Sequence, residues 1–103
     1  MNDTRPSWLT EECPPWCVGE HTEADHPDDR VHQGHISTIP VVMREQSLGG
    51  EGLASTERAT EFDIVRFRPV SAATEWLFVG DDEHRLQLSV ESAARLRATL
   101  GSV

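Results

Sequence analysis

Phe62-Asp63-Ile64-Val65-Arg66-Phe67-Arg68-Pro69, then Glu75-Trp76-Leu77-Phe78-Val79, then Arg85-Leu86-Gln87-Leu88, carry four of the six aromatic residues of this 103-residue chain. Each run is short, rich in aromatic and branched side chains, and bounded by proline or glycine, which reads as three strands. The middle run is apolar on both faces and reads as a central strand, whereas Arg85–Leu88 alternates like a half-buried one. Between them, Gly80-Asp81-Asp82-Glu83-His84 has hairpin-turn chemistry, so this pairing is antiparallel. The period then changes: Ser89 is a good N-cap for a final helix with Val90, Ala93, Leu96 and Leu100 along one side, stopped by Gly101.

Upstream, Ile36-Ser37-Thr38-Ile39-Pro40-Val41-Val42-Met43 reads as another strand, with Pro40 pushing it to an edge or a bulge. Arg44 to Glu61 is polar and carries Gly49, Gly50 and Gly52; it reads as a long flexible loop. Those glycines lack the preceding strand and following helix of a phosphate-binding loop. The expected fold is therefore α+β: a small antiparallel sheet of three to four strands, one C-terminal helix and a metal-stabilised N-terminal loop. Residues 1–10 are expected to be a flexible tail, with Trp8 and Leu9 docking on the domain. Residues 11–103 are expected to form a single small domain: a Cys/His loop at 11–35, the sheet at 36–88 and the helix at 89–100.

Cys13-Pro14-Pro15-Trp16-Cys17-Val18-Gly19-Glu20-His21, with His26, His32 and His35 following, places both cysteines and four of five histidines within 23 residues. Thiolate and imidazole are zinc's preferred ligands, and two thiolates neutralise the ion while two imidazoles complete a tetrahedron. A helical turn at Pro14-Pro15 sets Cys13, Cys17 and His21 about one turn apart, facing a common point. The fourth ligand must come from beyond the acidic excursion Thr22–Arg30. His32 is the choice because it stands at the threshold of the first strand, with His35 as rival and His26 as the weaker one. A disulfide between Cys13 and Cys17 would close a small, strained ring. Four protein ligands leave no open position, and neither H-E-x-x-H nor H-x-E with C-x-x-C occurs, so the Zn2+ is expected to be structural and the protein not an enzyme. Trp16, between the cysteines, is expected to lie over the site.

Net charge is −9, and all nine basic residues are arginine. Without lysine there is no Schiff-base chemistry and no phosphate-loop lysine. An acidic surface repels phosphate backbones, so nucleic-acid binding is disfavoured, and Arg66, Arg68, Arg95 and Arg97 read as solvated faces. Apolar residues make up 37% of the chain, thin material for one core, which a metal or a partner would supplement. No stretch approaches the roughly 18 apolar residues of a membrane span, and no signal-peptide core is seen, so a cytoplasmic location is expected. Trp76 and Phe78 are expected in the core, and His84 as an exposed turn histidine.

Cys13-Pro14-Pro15-Trp16-Cys17, then His21, then Val31-His32 before a Val-rich strand, resembles a family of small uncharacterised actinobacterial proteins, some phage-encoded. These carry a domain of unknown function opening with Cys-Pro-x-Trp-Cys and later histidines. The resemblance covers most of residues 11–100. It implies a GC-rich actinobacterial source and a zinc-binding start, and brings no activity with it. The function expected is a small zinc-stabilised protein acting as a binding or accessory module with an unidentified protein partner. Its rivals are a nucleic-acid-associated regulator and, further off, a zinc hydrolase.

Overall fold

The computed structural model describes residues 5–103. Strands β1 (Val31–Gln33), β2 (Ser37–Gly49), β3 (Gly52–Pro69), β4 (Trp76–Gly80) and β5 (Arg85–Ser89) form one antiparallel sheet, followed by helix α1 (Val90–Leu100). The sheet thus has five strands where three to four were expected. The C-terminal half of β3 lies between β1, in register from Val31↔Pro69 to Gln33↔Phe67, and β4, from Asp63↔Gly80 to Phe67↔Trp76. Its N-terminal half pairs with β2 from Ser37↔Ile64 to Gly49↔Gly52. β1 and β2 therefore share one edge of β3 end to end, and β4 carries β5 on its far side.

Residues 44–61 are not a loop. They form the outer part of the β2–β3 hairpin, closed at its tip by Gly50 and Glu51, with Gly52 at φ +108°, a conformation open to glycine. Apart from Leu48 and Leu53, paired near its tip, this arm is largely polar, so the alternation that marks a half-buried strand is missing from its sequence. Backbone pairing makes it a strand nonetheless. The arm gives the molecule extents of 65 × 32 × 22 Å and a radius of gyration of 18.1 Å. A globular chain of this length would have about 13 Å.

At the other hairpin, Gly80 has φ +155°, and a Cβ there would sit 2.0 Å from the His84 carbonyl oxygen. Asp81 completes the turn by accepting from the N–H groups of Glu83 at 2.9 Å and His84 at 2.8 Å. Ser89 caps α1, its hydroxyl accepting from the Ser92 N–H at 3.1 Å. Val90, Ala93, Ala94 and Arg97 line one hollow together with Leu77 and Arg66, whereas Leu96 and Leu100, expected on the packed side, are 46% and 60% exposed.

Strand pleating sorts the sheet into two faces. One carries His32, Arg68, Arg66 and Leu77 and lies under α1 and the N-terminal segment. The other carries Val31, Val65, Phe67 and Phe78. Among the described residues, Leu9 is the one large hydrophobic side chain in the buried class; Trp76 and Phe78 are half-buried. Pro6 is also buried, so part of the segment expected to be a tail packs, and residues 1–4 lie outside the described residues.

Candidate metal centre

Pro14-Pro15 starts a tight turn, the Cys17 N–H donating to the Pro14 carbonyl at 2.9 Å. The next residue, Val18, donates to the Gln33 carbonyl at 2.8 Å, and Gly34 donates to the Arg66 carbonyl at 2.8 Å. These bonds lay the cysteine turn along the outer edge of β1, beside His32. The excursion Thr22–Arg30 contains a short 3-10 turn, Pro27–Asp29, favoured by proline at its start and by His26 Nδ1 accepting from the Asp28 N–H at 3.1 Å. Thr22 and Asp25 also bond side chain to side chain at 2.7 Å, which folds the excursion back.

As a result Cys13, Cys17, His21 and His32 each bring one ligand atom to within 4.8 Å of the other three, close enough to bind a metal ion. Tetrahedral zinc with its usual bond lengths separates a thiolate sulfur from an imidazole nitrogen by about 3.6 Å. Cys17 Sγ and His21 Nε2 stand 3.7 Å apart. His26 is outside the group, 67% exposed and paired with Asp28, and His35 is exposed.

His32 is 0% exposed, and neither of its ring nitrogens has a hydrogen-bond partner. Burying such a group unmatched costs about 1–3 kcal/mol, so one nitrogen facing an ion fits the site well. Glu11 Oε1 lies 3.4 Å from Nε2, within reach of a hydrogen bond but not forming one. Glu11 is itself held by the Ser71 N–H at 2.6 Å and by Arg68 at 3.4 Å. Ser71 adopts φ +70° to present that N–H. Burial, and then the charge of His32, hold His21 below the ordinary histidine value, which favours the neutral, ligating imidazole. Burial, and then the neighbouring Cys17, push the Cys13 thiol up, a balance that a coordinated cation reverses.

Residues 2–103 match the family described as a domain of unknown function, DUF6907. The chain belongs to DUF6907. No curated protein and no solved structure matches it. In this DUF6907 chain the aromatic ring on the site is Trp8, meeting His21 edge-on at 5.6 Å and held by its Nε1–H to the Thr22 carbonyl at 2.8 Å. Trp16, expected there, instead stacks under the Arg66 guanidinium at 4.7 Å. Arg66 also pairs with Glu75, and Arg68 donates to the Ala72 carbonyl at 2.9 Å, so the two strand arginines are engaged and not a solvated face. His84 sits in its turn but bonds to Arg58 at 2.9 Å and lies 3.1 Å from the Glu45 carboxylate; Arg58 also meets Asp81 at 3.1 Å, bracing the arm's base. Among the described residues, no helix of this DUF6907 domain is long and apolar enough to cross a membrane.

Sequence reasoning overlooked Glu11, Arg68 and Trp8 as companions of the site. Glu11 finds Ser71 from 60 residues away, and no local spacing signals such a contact.

Proposed function

We propose that Cys13, Cys17, His21 and His32 hold one structural zinc ion, and that the folded unit serves as a binding or accessory module for other protein surfaces. His32 would ligate through Nδ1 and donate its Nε2–H to Glu11, the carboxylate–histidine arrangement that orients metal-bound imidazoles. The observation that carries the reading is the fully buried His32, unsatisfied at both nitrogens, beside a sulfur and a nitrogen at tetrahedral-edge distance. Four protein ligands close the shell and leave no position for an activated water, which argues against hydrolysis. With Arg66 and Arg68 engaged and the net charge at −9, a phosphate backbone has little to bind.

Cobalt substitution tests the closed shell. Two thiolates and two imidazoles around cobalt give intense tetrahedral visible bands that added small anions leave unchanged. A weak five- or six-coordinate spectrum, or one that shifts with anions, would show an open position and remove the structural assignment.

A further inference from the structure

We infer that Cys13 and Cys17 form an oxidation site, where a hydroperoxide joins the two zinc ligands in a disulfide and the ion is released. The inference rests on the zinc reading above and adds to it the means by which the site is emptied.

The four ligands differ in access. His32 is 0% exposed and Cys17 and His21 are half-buried, whereas Cys13 is exposed. An oxidant arriving from solvent therefore meets Cys13 Sγ first. Susceptibility to oxidation follows thiolate character and exposure, and a coordinated cation keeps the sulfur deprotonated. Cys17 Sγ lies within 4.8 Å of Cys13 Sγ, so a second thiolate stands ready to resolve the first product. No third cysteine in the chain competes with it. The turn that joins the pair is closed by backbone, the Cys17 N–H donating to the Pro14 carbonyl at 2.9 Å, and this bond does not need the ion. A chain of net charge −9 repels anionic oxidants, whereas a hydroperoxide arrives uncharged.

Cys13 Sγ attacks one oxygen of the hydroperoxide. The S–O bond forms, the O–O bond breaks, and the leaving oxygen takes a proton to depart as water or an alcohol. Cys17 Sγ then attacks the Cys13 sulfur. The S–S bond forms, the S–O bond breaks, and the hydroxide takes a proton to leave as water. Two electrons pass from the two thiolates to the peroxide. The thiolate is the metal-binding form of cysteine, so the disulfide leaves the ion only His21 and His32. Release unties the turn from β1 and leaves His32 buried with both ring nitrogens unmatched. The pairing of β2 to β5 involves neither cysteine and should persist. A ring spanning only residues 13 to 17 is strained, and strained disulfides are the ones that reductants reopen.

Hydrogen peroxide added to the zinc-loaded full chain tests this, with zinc release read by a metallochromic indicator beside intact mass and hydrogen exchange. The expected result is release of the bound zinc and a chain lighter by two hydrogens. Exchange should quicken at the Cys17 and Val18 amides and stay slow along β3 and β4. A dithiol with fresh zinc should reverse all three. Cys13→His keeps four ligands but removes the pair, and should release zinc at least about tenfold more slowly. Peptide mapping of the oxidised unsubstituted chain decides the matter without a variant, and a link from Cys13 to Cys17 is expected. Oxygen adducts on either cysteine, a link between two chains, or equally fast zinc loss from Cys13→His would overturn the inference. Zinc and both thiols surviving the peroxide would overturn it alone, whereas a chain that takes up no zinc beforehand overturns the zinc reading and this inference with it.

Discussion

Replacing Cys17 by serine swaps one zinc ligand for a hydroxyl of nearly the same size, so packing at this half-buried position is preserved and coordination is not. Structural zinc in small motifs is worth about 10–16 kcal/mol, so one ligand of four represents about 2.5–4 kcal/mol. That corresponds to about a 10²–10³-fold weaker zinc affinity. The same loss should reach the fold, because the ion would tie residues 13–21 to His32 and, among the described residues, Leu9 is the one large hydrophobic side chain in the buried class. At about 4–8 °C per kcal/mol for a domain of this size, the zinc-bound melting temperature should drop by about 10–30 °C. Chelator competition gives the affinity, and thermal melts with and without EDTA give the stability. With EDTA present, the two proteins should melt together, since their difference lies in the metal. If Cys17→Ser keeps its zinc stoichiometry and affinity, or loses as much stability in EDTA as in zinc, the ligand set is wrong.

Glu11→Gln keeps an acceptor for the Ser71 N–H but loses the carboxylate facing His32, and should weaken zinc binding about 10–100-fold; unchanged competition by a chelator would remove Glu11 from the site. Five carboxyls among the described residues sit below the ordinary carboxylate range: Glu11 through the Ser71 N–H, Glu23 through the Ser7 hydroxyl, Asp25 through the Thr22 hydroxyl, Glu75 through the Arg66 hydrogen bond, and Asp81 through the His84 N–H. Because their folded values are depressed, the unfolded chain binds more protons on acidification, so their stabilisation is complete above about pH 5 and is lost as pH falls through the folded values. Metal-free protein should therefore melt at a steady temperature from about pH 7 to 5 and progressively lower beneath about pH 4, and a rise on acidification would contradict those contacts. Gly80→Ala would force a Cβ to 2.0 Å from the His84 oxygen at φ +155°, which only a shift of backbone relieves. It should cost at least about 2 kcal/mol in a denaturant titration, and a neutral result would mean that the hairpin is built differently.

Strand and helix positions were legible where one face is buried. Trp76–Gly80, Arg85–Ser89 and the capped helix from Val90 follow the apolar period and the turn residues, and they fall close to where the pattern puts them. The arm was illegible for the converse reason. Thr56, Glu57, Arg58 and their neighbours bury little on either side, so nothing apolar alternates and only the backbone ladder defines the strand. β1 was hidden because Val31-His32-Gln33 is too short to show a period and is strand only through residues 67–69. The metal cluster could be read from Cys13, Cys17 and His21 at four-residue intervals, with His32 supplied by its place at the sheet's threshold. What surrounds the cluster is non-local: Glu11 meets Ser71 and Arg68, and Trp8 meets His21 across the acidic excursion. Arg66 and Arg68 looked solvent-facing because alternation cannot tell which side of a strand will be covered.

X-ray absorption at the zinc edge, on protein purified without chelators, interrogates the proposed centre most directly. One zinc per chain, with two sulfurs at about 2.3 Å and two nitrogens at about 2.0–2.1 Å, is the expected result. Protein that carries no stoichiometric zinc, or zinc in a shell of oxygen and nitrogen alone, would contradict it.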